Sequence, residues 1–247
     1  PDWTMADLLA LGRELRRAGV ARPLAWTRDI TFLFPLLRGQ GAQPYDAQNG
    51  RMRLDTPEML RAMERMREVA LACGEPTAPS QGRCDALLCR GEAAIAFWGA
   101  VTGASCVSFR HSVAPLPRGE RPSCLLLAEG VGICASCQRP EAAWKALKRF
   151  ISAEASETLV KAEVMFPPRH DGLVSFLSKH DPSYAWVFRG LACVEEEHRR
   201  MGAERMAFLN NALAGWWNPE VDIASALVRA QGIMDAVLAA SHAPHDA

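Results

Sequence analysis

Residues 54–58 are Leu-Asp-Thr-Pro-Glu, and this stretch begins the most strongly predicted helix of the 247-residue sequence. Threonine caps a first helical turn, proline suits the first helical position, and an acid there favours the positive end of the helix dipole. Six apolar residues then follow at helical spacing: Met59, Met63, Met66, Val69, Ala70 and Cys73. Because methionine fills irregular gaps in cores, this stripe indicates a buried helix face rather than a cofactor site.

Other helices and short apolar strands surround this helix. Thr4 with Asp7 predicts a capping box at the first helix, and Gly19 predicts its end. The pattern predicts strands at residues 23–26, 93–98, 107–116 and 124–135. It predicts further helices at residues 32–37, 84–89 and 139–151, and a mostly helical chain beyond residue 173. Strands that alternate with helices, followed by helices alone, indicate an α/β fold with a helical C-terminal part.

Composition excludes two classes of function. The chain carries 28 Lys plus Arg and 28 Asp plus Glu, so its formal net charge is zero. Binding to nucleic acid or to an anionic membrane surface normally requires a basic excess or a basic stripe. Apolar residues make up 49% of the sequence without an uninterrupted run that approaches 18 residues, so we predict no membrane span.

No familiar catalytic motif occurs in the sequence. The six histidines form no HExxH pair, and no GxSxG, phosphate-binding loop, dinucleotide GxGxxG or paired-carboxylate motif is present. We therefore predict a protein that is not an enzyme and that holds neither a cofactor nor a metal ion.

The eight cysteines leave the redox state open, because spacing alone does not determine disulfide connectivity. Cys134 and Cys137 form a CxxC motif, which without a second pair is a weak signal for zinc or for redox chemistry. An incidental or structural role is the favoured interpretation. If the protein is exported, Cys106 with Cys124, or Cys84 with Cys89, are candidate disulfides.

Aromatic residues cluster near the predicted strand ends, where α/β proteins bind ligands. They are Trp26, Phe32, Phe34, Phe97 and Trp98. Aromatic rings at such positions can stack on the apolar face of a sugar, although a place in the core is the favoured interpretation for each of them individually.

The order of several motifs resembles the sugar-binding, maltose-binding-protein-like family of extracellular solute-binding proteins of ABC importers. Residues 89–95 (CRGEAAI) resemble the family's F-x-x-G-x-A-A-M signature, and residues 140–145 (PEAAWK) resemble P-E-x-A-W-x-F. Residues 54–58 resemble its D-S-P-E helix start. Further likenesses lie at residues 4–19, 32–42, 113–117 and 222–230, so that the resemblance extends over nearly the whole chain.

The resemblance implies a periplasmic-binding-protein type II fold, in which two α/β lobes close on a ligand. It begins well inside the family's usual chain, so we expect most of the first lobe to be missing from this sequence. Residues 1–118 then form the main part of the second lobe. Residues 119–176 return to the first lobe, and residues 177–247 are helices that pack on the second lobe and the hinge.

The resemblance also implies ligand-binding residues and partners. The motif matches imply that the ligand is bound by seven residues: Asp29, Phe32, Trp98, Gly99, Glu129, Gly130 and Arg205. The implied function is that of the sugar- or oligosaccharide-binding component of an ABC transporter, a periplasmic or extracellular lipoprotein that acts as a monomer and delivers its ligand to permease subunits. The alternatives are a non-sugar solute, namely a polyamine, a metal chelate or a phosphate ester, or a cysteine-based redox or metal protein. Residues 1–247 alone are expected to bind weakly or not at all.

Overall fold

A computed structural model describes residues 2–46, 48–76, 81–97, 107–124, 130–162, 169–193 and 203–242. Within these ranges the α-helices are α1 Met5–Arg17, α2 Phe34–Gly39, α3 Pro57–Cys73, α4 Gln81–Cys89, α5 Pro140–Phe150, α6 Ala153–Ala162, α7 His170–Lys179, α8 Ala185–Gly190, α9 Ala203–Ala212 and α10 Ile223–His242. The strands are β1 Leu24–Ala25, β2 Tyr45–Asp46, β3 Arg51–Met52 and β4 Ile95–Ala96. Single turns of 3₁₀ helix lie at Ile30–Phe32, Pro182–Tyr184 and Leu191–Cys193.

The predicted helix starts are confirmed at the level of single hydrogen bonds. The Thr56 hydroxyl accepts a hydrogen bond from the Met59 amide at the start of α3. At α1, the Thr4 hydroxyl accepts from the Asp7 amide while the Asp7 carboxylate accepts from the Thr4 amide, which completes the capping box. Gly19 follows α1 with a positive φ of 86°, a backbone conformation that glycine adopts without a steric penalty.

The predicted buried face of α3 is confirmed. All six residues of the stripe that follows residues 54–58 are buried, and they belong to one large apolar cluster. α1 packs on α3, and the same cluster contains Leu209 of α9, Leu213 directly after it, and Leu227 and Met234 of α10. The methionine stripe is therefore core, as its spacing predicts.

Two small sheets lie beside this core. β1 pairs in parallel with β4, with Leu24 opposite Ile95 and Ala25 opposite Ala96. β2 and β3 form an antiparallel hairpin through a turn in which Gly50 has a positive φ of 64°. The parallel pair is the part of the α/β pattern that matters for a ligand site, because its two carboxyl ends point the same way.

The predicted strands at residues 107–116 and 130–135 are wrong. These residues contain no regular strand, and their apolar side chains Phe109, Val131 and Ile133 are exposed. The Val113 amide donates to the Ser183 hydroxyl at 2.8 Å instead of to a neighbouring strand. Residues 125–129 of the second predicted strand lie outside the described residues.

Helix α5 begins and ends within one residue of its predicted bounds, but its apolar side chains are not buried in a core. No residue of α5 is buried, and the side chains of Trp144 and Phe150 are 51% and 50% exposed. Ile151, which follows the helix, is 47% exposed. Within the described residues, α5 thus has an apolar face without the packing that buries the apolar face of α3.

The C-terminal helix α10 is long and apolar enough to pass a length-and-composition test for a membrane span over residues 223–240, against the prediction of no such segment. Core helices pass the same test, and the buried face of α10 belongs to the large apolar cluster. Gln231 on that face accepts a hydrogen bond from the Leu54 amide at 2.7 Å and donates to the Met52 carbonyl at 3.1 Å. These bonds attach α10 to the hairpin and to the start of α3.

The chain divides into two compact units. The first comprises residues 1–98, 115–125 and 190–247, and the second comprises residues 99–114 and 126–189. The second unit has its own small apolar cluster of Val160, Phe176 and Tyr184. These units divide the chain at other residues than the predicted segments 1–118, 119–176 and 177–247, whose assignment to lobes stays a prediction.

Candidate functional site

The carboxyl ends of β1 and β4 carry aromatic residues, as the sequence predicts. Trp26 directly follows β1, and Phe97 directly follows β4. The two rings meet edge to face with centroids 6.3 Å apart. Trp26 is buried, and its indole N–H donates to the Gly74 carbonyl at 2.9 Å. Trp26 and the buried Phe34 are therefore core aromatics rather than ligand-stacking ones.

Asp29 lies four residues beyond the end of β1 and is joined to helix α9. The Asn210 side-chain amide donates to the Asp29 carboxylate at 3.2 Å, and its carbonyl oxygen accepts from the Ile30 amide at 2.7 Å. The Asp29 amide donates to the Thr27 hydroxyl at 3.1 Å. These bonds fix a half-buried carboxylate at the strand's carboxyl end, where an open α/β sheet binds its ligands.

The predicted ligand residues Phe32 and Arg205 belong to the two elements that Asn210 connects. Phe32 ends the 3₁₀ turn at Ile30–Phe32, and its ring is half-buried. Arg205 lies in α9, five residues before Asn210, and is also half-buried. The structure thus brings Asp29, Phe32 and α9 together through the contact between α9 and this turn.

The remaining predicted ligand residues are Trp98, Gly99, Glu129 and Gly130. Trp98, Gly99 and Glu129 lie outside the described residues. Gly130 belongs to the second compact unit and is exposed, with open space around the position that a Cβ would occupy.

Three tryptophans of the first unit contact one another in a row. Trp26 and Trp216 meet edge to face at 5.7 Å, and Trp216 meets Trp217 at 5.8 Å. Trp216 is buried and belongs to the large apolar cluster. The Arg28 guanidinium lies over the Trp217 ring at 5.1 Å, which places a cation one residue before Asp29. A surface cavity of about 290 Å³ is lined by Trp217 together with Ala70, Leu71 and Glu75, among others.

Asn210 is the site residue that the sequence reasoning missed. Asparagine disfavours a helix interior because its side chain competes for backbone hydrogen bonds. Two consecutive asparagines, Asn210 and Asn211, within the predicted helical region were the available signal. The sequence pattern does not reveal that Asn210 pairs with Asp29, because the two residues are 181 positions apart.

The cysteines differ from the two suggested pairings. Cys89 is disulfide-bonded, whereas Cys84 and Cys124 take part in no disulfide, so neither the 84–89 nor the 106–124 bond is present. Cys106 itself lies outside the described residues. Cys73 is buried between α1 and α3, and this burial raises the pKa of its thiol to about 11. It is therefore an inert core residue. Within the described ranges no group of three or more His, Cys, Asp or Glu side chains could hold a metal ion.

Comparisons with known proteins gave matches among solved structures only. No protein-family model matches the sequence, and no curated protein matches it. A maltose/maltodextrin-binding domain from Bdellovibrio bacteriovorus, bound to maltotriose, is 16% identical with a TM-score of 0.77 over 97% of this chain and 67% of its own. An ABC transporter solute-binding protein from Thermotoga lettingae, bound to α-D-tagatose, is 14% identical with a TM-score of 0.76 over 96% and 65%.

A third similar structure is an ABC substrate-binding protein from Listeria monocytogenes in complex with cycloalternan. It is 14% identical with a TM-score of 0.75 over 96% of this chain and 64% of its own. The chain thus spans about two thirds of the length of these solute-binding proteins, and nearly all of it superposes on them. At such low identity the likeness establishes the fold, and the chain has the type II periplasmic-binding-protein fold of ABC transporter solute-binding proteins that its motifs predict.

Proposed function

We propose that the protein is the substrate-binding component of an ABC transporter and that its ligand is a sugar or an oligosaccharide. The observation that carries this proposal is the pair Asp29 and Asn210, fixed at the carboxyl end of β1 in a chain with the solute-binding-protein fold. Three proteins with this fold hold α-D-tagatose, cycloalternan and maltotriose, each of which presents many hydroxyl groups.

The proposed contacts follow from the chemistry of these residues. An ionised carboxylate is a pure acceptor, so Asp29 would take hydrogen bonds from sugar hydroxyls. Asn210 already holds Asp29 and the Ile30 amide, so it would position the carboxylate rather than read the ligand. Phe32 would stack on the apolar face of a sugar ring, and Arg205 would donate to hydroxyl or ring oxygens. Trp98, Gly99, Glu129 and Gly130 complete the proposed set.

The proposed lobe assignment gives residues 1–118 to the second lobe and residues 119–176 to the first, with residues 177–247 as helices that pack on the second lobe and the hinge. The exposed apolar face of α5 supports the assignment of residues 119–176, because a helix of an α/β lobe normally packs on a sheet. Residues 1–247 supply only the two-residue strands β1–β4 among their described residues. We therefore propose that the sheet of the first lobe lies in a segment not contained in this sequence.

The proposed partners are the permease subunits of the transporter, and the proposed location is the periplasm or the outer face of the membrane, with a lipid anchor. One structure of this fold, from a Synechococcus species, bears the name of a putative oligosaccharide periplasmic-binding protein. The disulfide at Cys89 supports an oxidising compartment, because disulfides persist in exported proteins.

Calorimetric titration tests the proposed function, with maltotriose, cycloalternan and tagatose as sugars and with spermidine and glycerol phosphate as non-sugar solutes. The full gene product is expected to bind at least one sugar, and residues 1–247 alone are expected to bind weakly or not at all. Asp29→Ala should weaken sugar binding about tenfold or more, since a hydrogen bond to a charged group contributes about 1.5–3 kcal/mol.

The matched control is Asp55→Ala, which removes an exposed carboxylate before α3 and should leave the affinity unchanged. Binding of spermidine or glycerol phosphate in place of every sugar would contradict the proposed ligand class. Equal loss in both variants would contradict the proposed role of Asp29.

A further inference from the structure

Cys134 and Cys137 are held close together by a turn. The Cys137 amide donates to the Cys134 carbonyl at 3.0 Å, and this bond closes a four-residue turn. In such a turn the first and last Cα atoms lie within about 7 Å, and disulfides join cysteines whose Cα atoms are about 4.4–6.8 Å apart. The Gln138 side chain donates to the Ser136 carbonyl at 3.1 Å and supports the same turn.

Both thiols are accessible and unpaired. Cys134 is exposed, Cys137 is half-buried, and each is a free cysteine in this structure. Residues 130–136 around the turn are exposed and form neither helix nor strand, so the backbone has freedom to adjust to a new covalent bond. By contrast, Cys73 and Cys84 are buried, which shields them from an oxidant.

We propose that Cys134 and Cys137 form a reversible disulfide that locks the turn ahead of α5. This inference does not rest on the proposed function, since it concerns the local geometry of residues 134–138. The site lies between Gly130, a proposed ligand residue, and Pro140, the first residue of α5. Oxidation would therefore fix the direction in which the chain enters α5.

The reaction requires a disulfide oxidant, for which oxidised glutathione is the representative. The Cys134 thiolate attacks one sulfur of oxidised glutathione, which forms a mixed disulfide and releases one glutathione thiolate. The Cys137 thiolate then attacks the Cys134 sulfur and releases the second glutathione. The two cysteines lose two protons and two electrons, and one oxidised glutathione becomes two reduced ones.

The experiment treats the reduced chain with oxidised glutathione, alkylates the remaining thiols and measures the mass of the peptide that contains both cysteines. The expected result is the loss of both alkylation sites and a mass about 2 Da below that of the unalkylated dithiol. Dithiothreitol should restore both sites. In Cys137→Ser the reaction should stop at the mixed disulfide, so that Cys134 carries one glutathione.

The matched control is Cys193→Ser, which removes another half-buried free thiol and should leave the result unchanged. A stable glutathione adduct on Cys134 in the unsubstituted chain would overturn the proposal, because it would show that Cys137 does not reach the Cys134 sulfur. Pairing of either cysteine with Cys124 or Cys193, or full alkylation of both after oxidation, would overturn it as well.

Discussion

Gly12 is the residue at which local preference and packing conflict most directly. It lies in the middle of α1, where alanine would favour the helix by about 1 kcal/mol. A Cβ at this position would lie inside the contact distance of the Cys73 sulfur, which is itself buried. We expect Gly12→Ala to lower the free energy of unfolding by about 1–3 kcal/mol, since overpacking outweighs helix propensity. Urea denaturation measures this change.

Removal of the sulfur provides the control for that prediction. The double variant Gly12→Ala with Cys73→Ala should regain stability relative to Gly12→Ala alone, because the new methyl group occupies the space that the sulfur leaves. The coupling free energy between the two sites should be about 1 kcal/mol or more, as is typical of residues in contact. Additive effects would show that α1 moves away from α3 instead.

At the scale of single elements, the start of α10 depends on one exposed carboxylate. Asp222 accepts hydrogen bonds from the Ser225 hydroxyl and from the Ala224 amide, and these bonds lower the pKa of Asp222 below its usual 3.8. Because the folded pKa is the lower one, the carboxylate stabilises the fold above the unfolded pKa. That contribution disappears as the pH falls through the folded pKa.

Asp222→Asn should therefore remove a pH dependence while it keeps the cap, since asparagine caps helices about as well as aspartate. The unsubstituted chain is expected to be more stable than the variant at pH 7, and the difference should shrink as the pH falls below 3.8 and through the lower folded pKa. Urea denaturation at pH 7 and at pH 2.5 measures this difference in the free energy of unfolding. A difference that persists unchanged at pH 2.5 would contradict the assignment to Asp222 ionisation.

The elements show how far the sequence alone could lead. The caps at Thr4 and Thr56 depend on residues close in sequence, so the starts of α1 and α3 could be predicted, as could the buried stripe of α3. The conformation of residues 107–116 could not be predicted. Their apolar pattern is typical of a strand, but a strand also needs a partner strand, and the local pattern does not show whether the fold provides one. The pair Asp29 and Asn210 was half predictable, since one residue lies at a strand end and the other depends on a contact across 181 residues.

At the scale of the whole molecule, the two compact units differ in how completely they bury their large apolar side chains. The first unit buries its large side chains in one extensive cluster. The second has three buried apolar residues in its cluster, and it leaves Trp144 and Phe150 on α5 half-exposed. Contiguous exposed apolar patches are uncommon on monomeric proteins and favour association.

The double variant Trp144→Gln with Phe150→Gln tests whether this face is free in residues 1–247. Glutamine keeps a good helix propensity, so the free energy of unfolding should change by less than about 0.5 kcal/mol, as for other surface substitutions. Binding of a hydrophobic dye and concentration-dependent light scattering should both decrease. Leu71→Gln on α3, which is also exposed but belongs to the well-packed unit, is the matched control and should have a smaller effect on both signals. A loss of more than about 1.5 kcal/mol in the double variant would instead mean that α5 packs against the chain in solution.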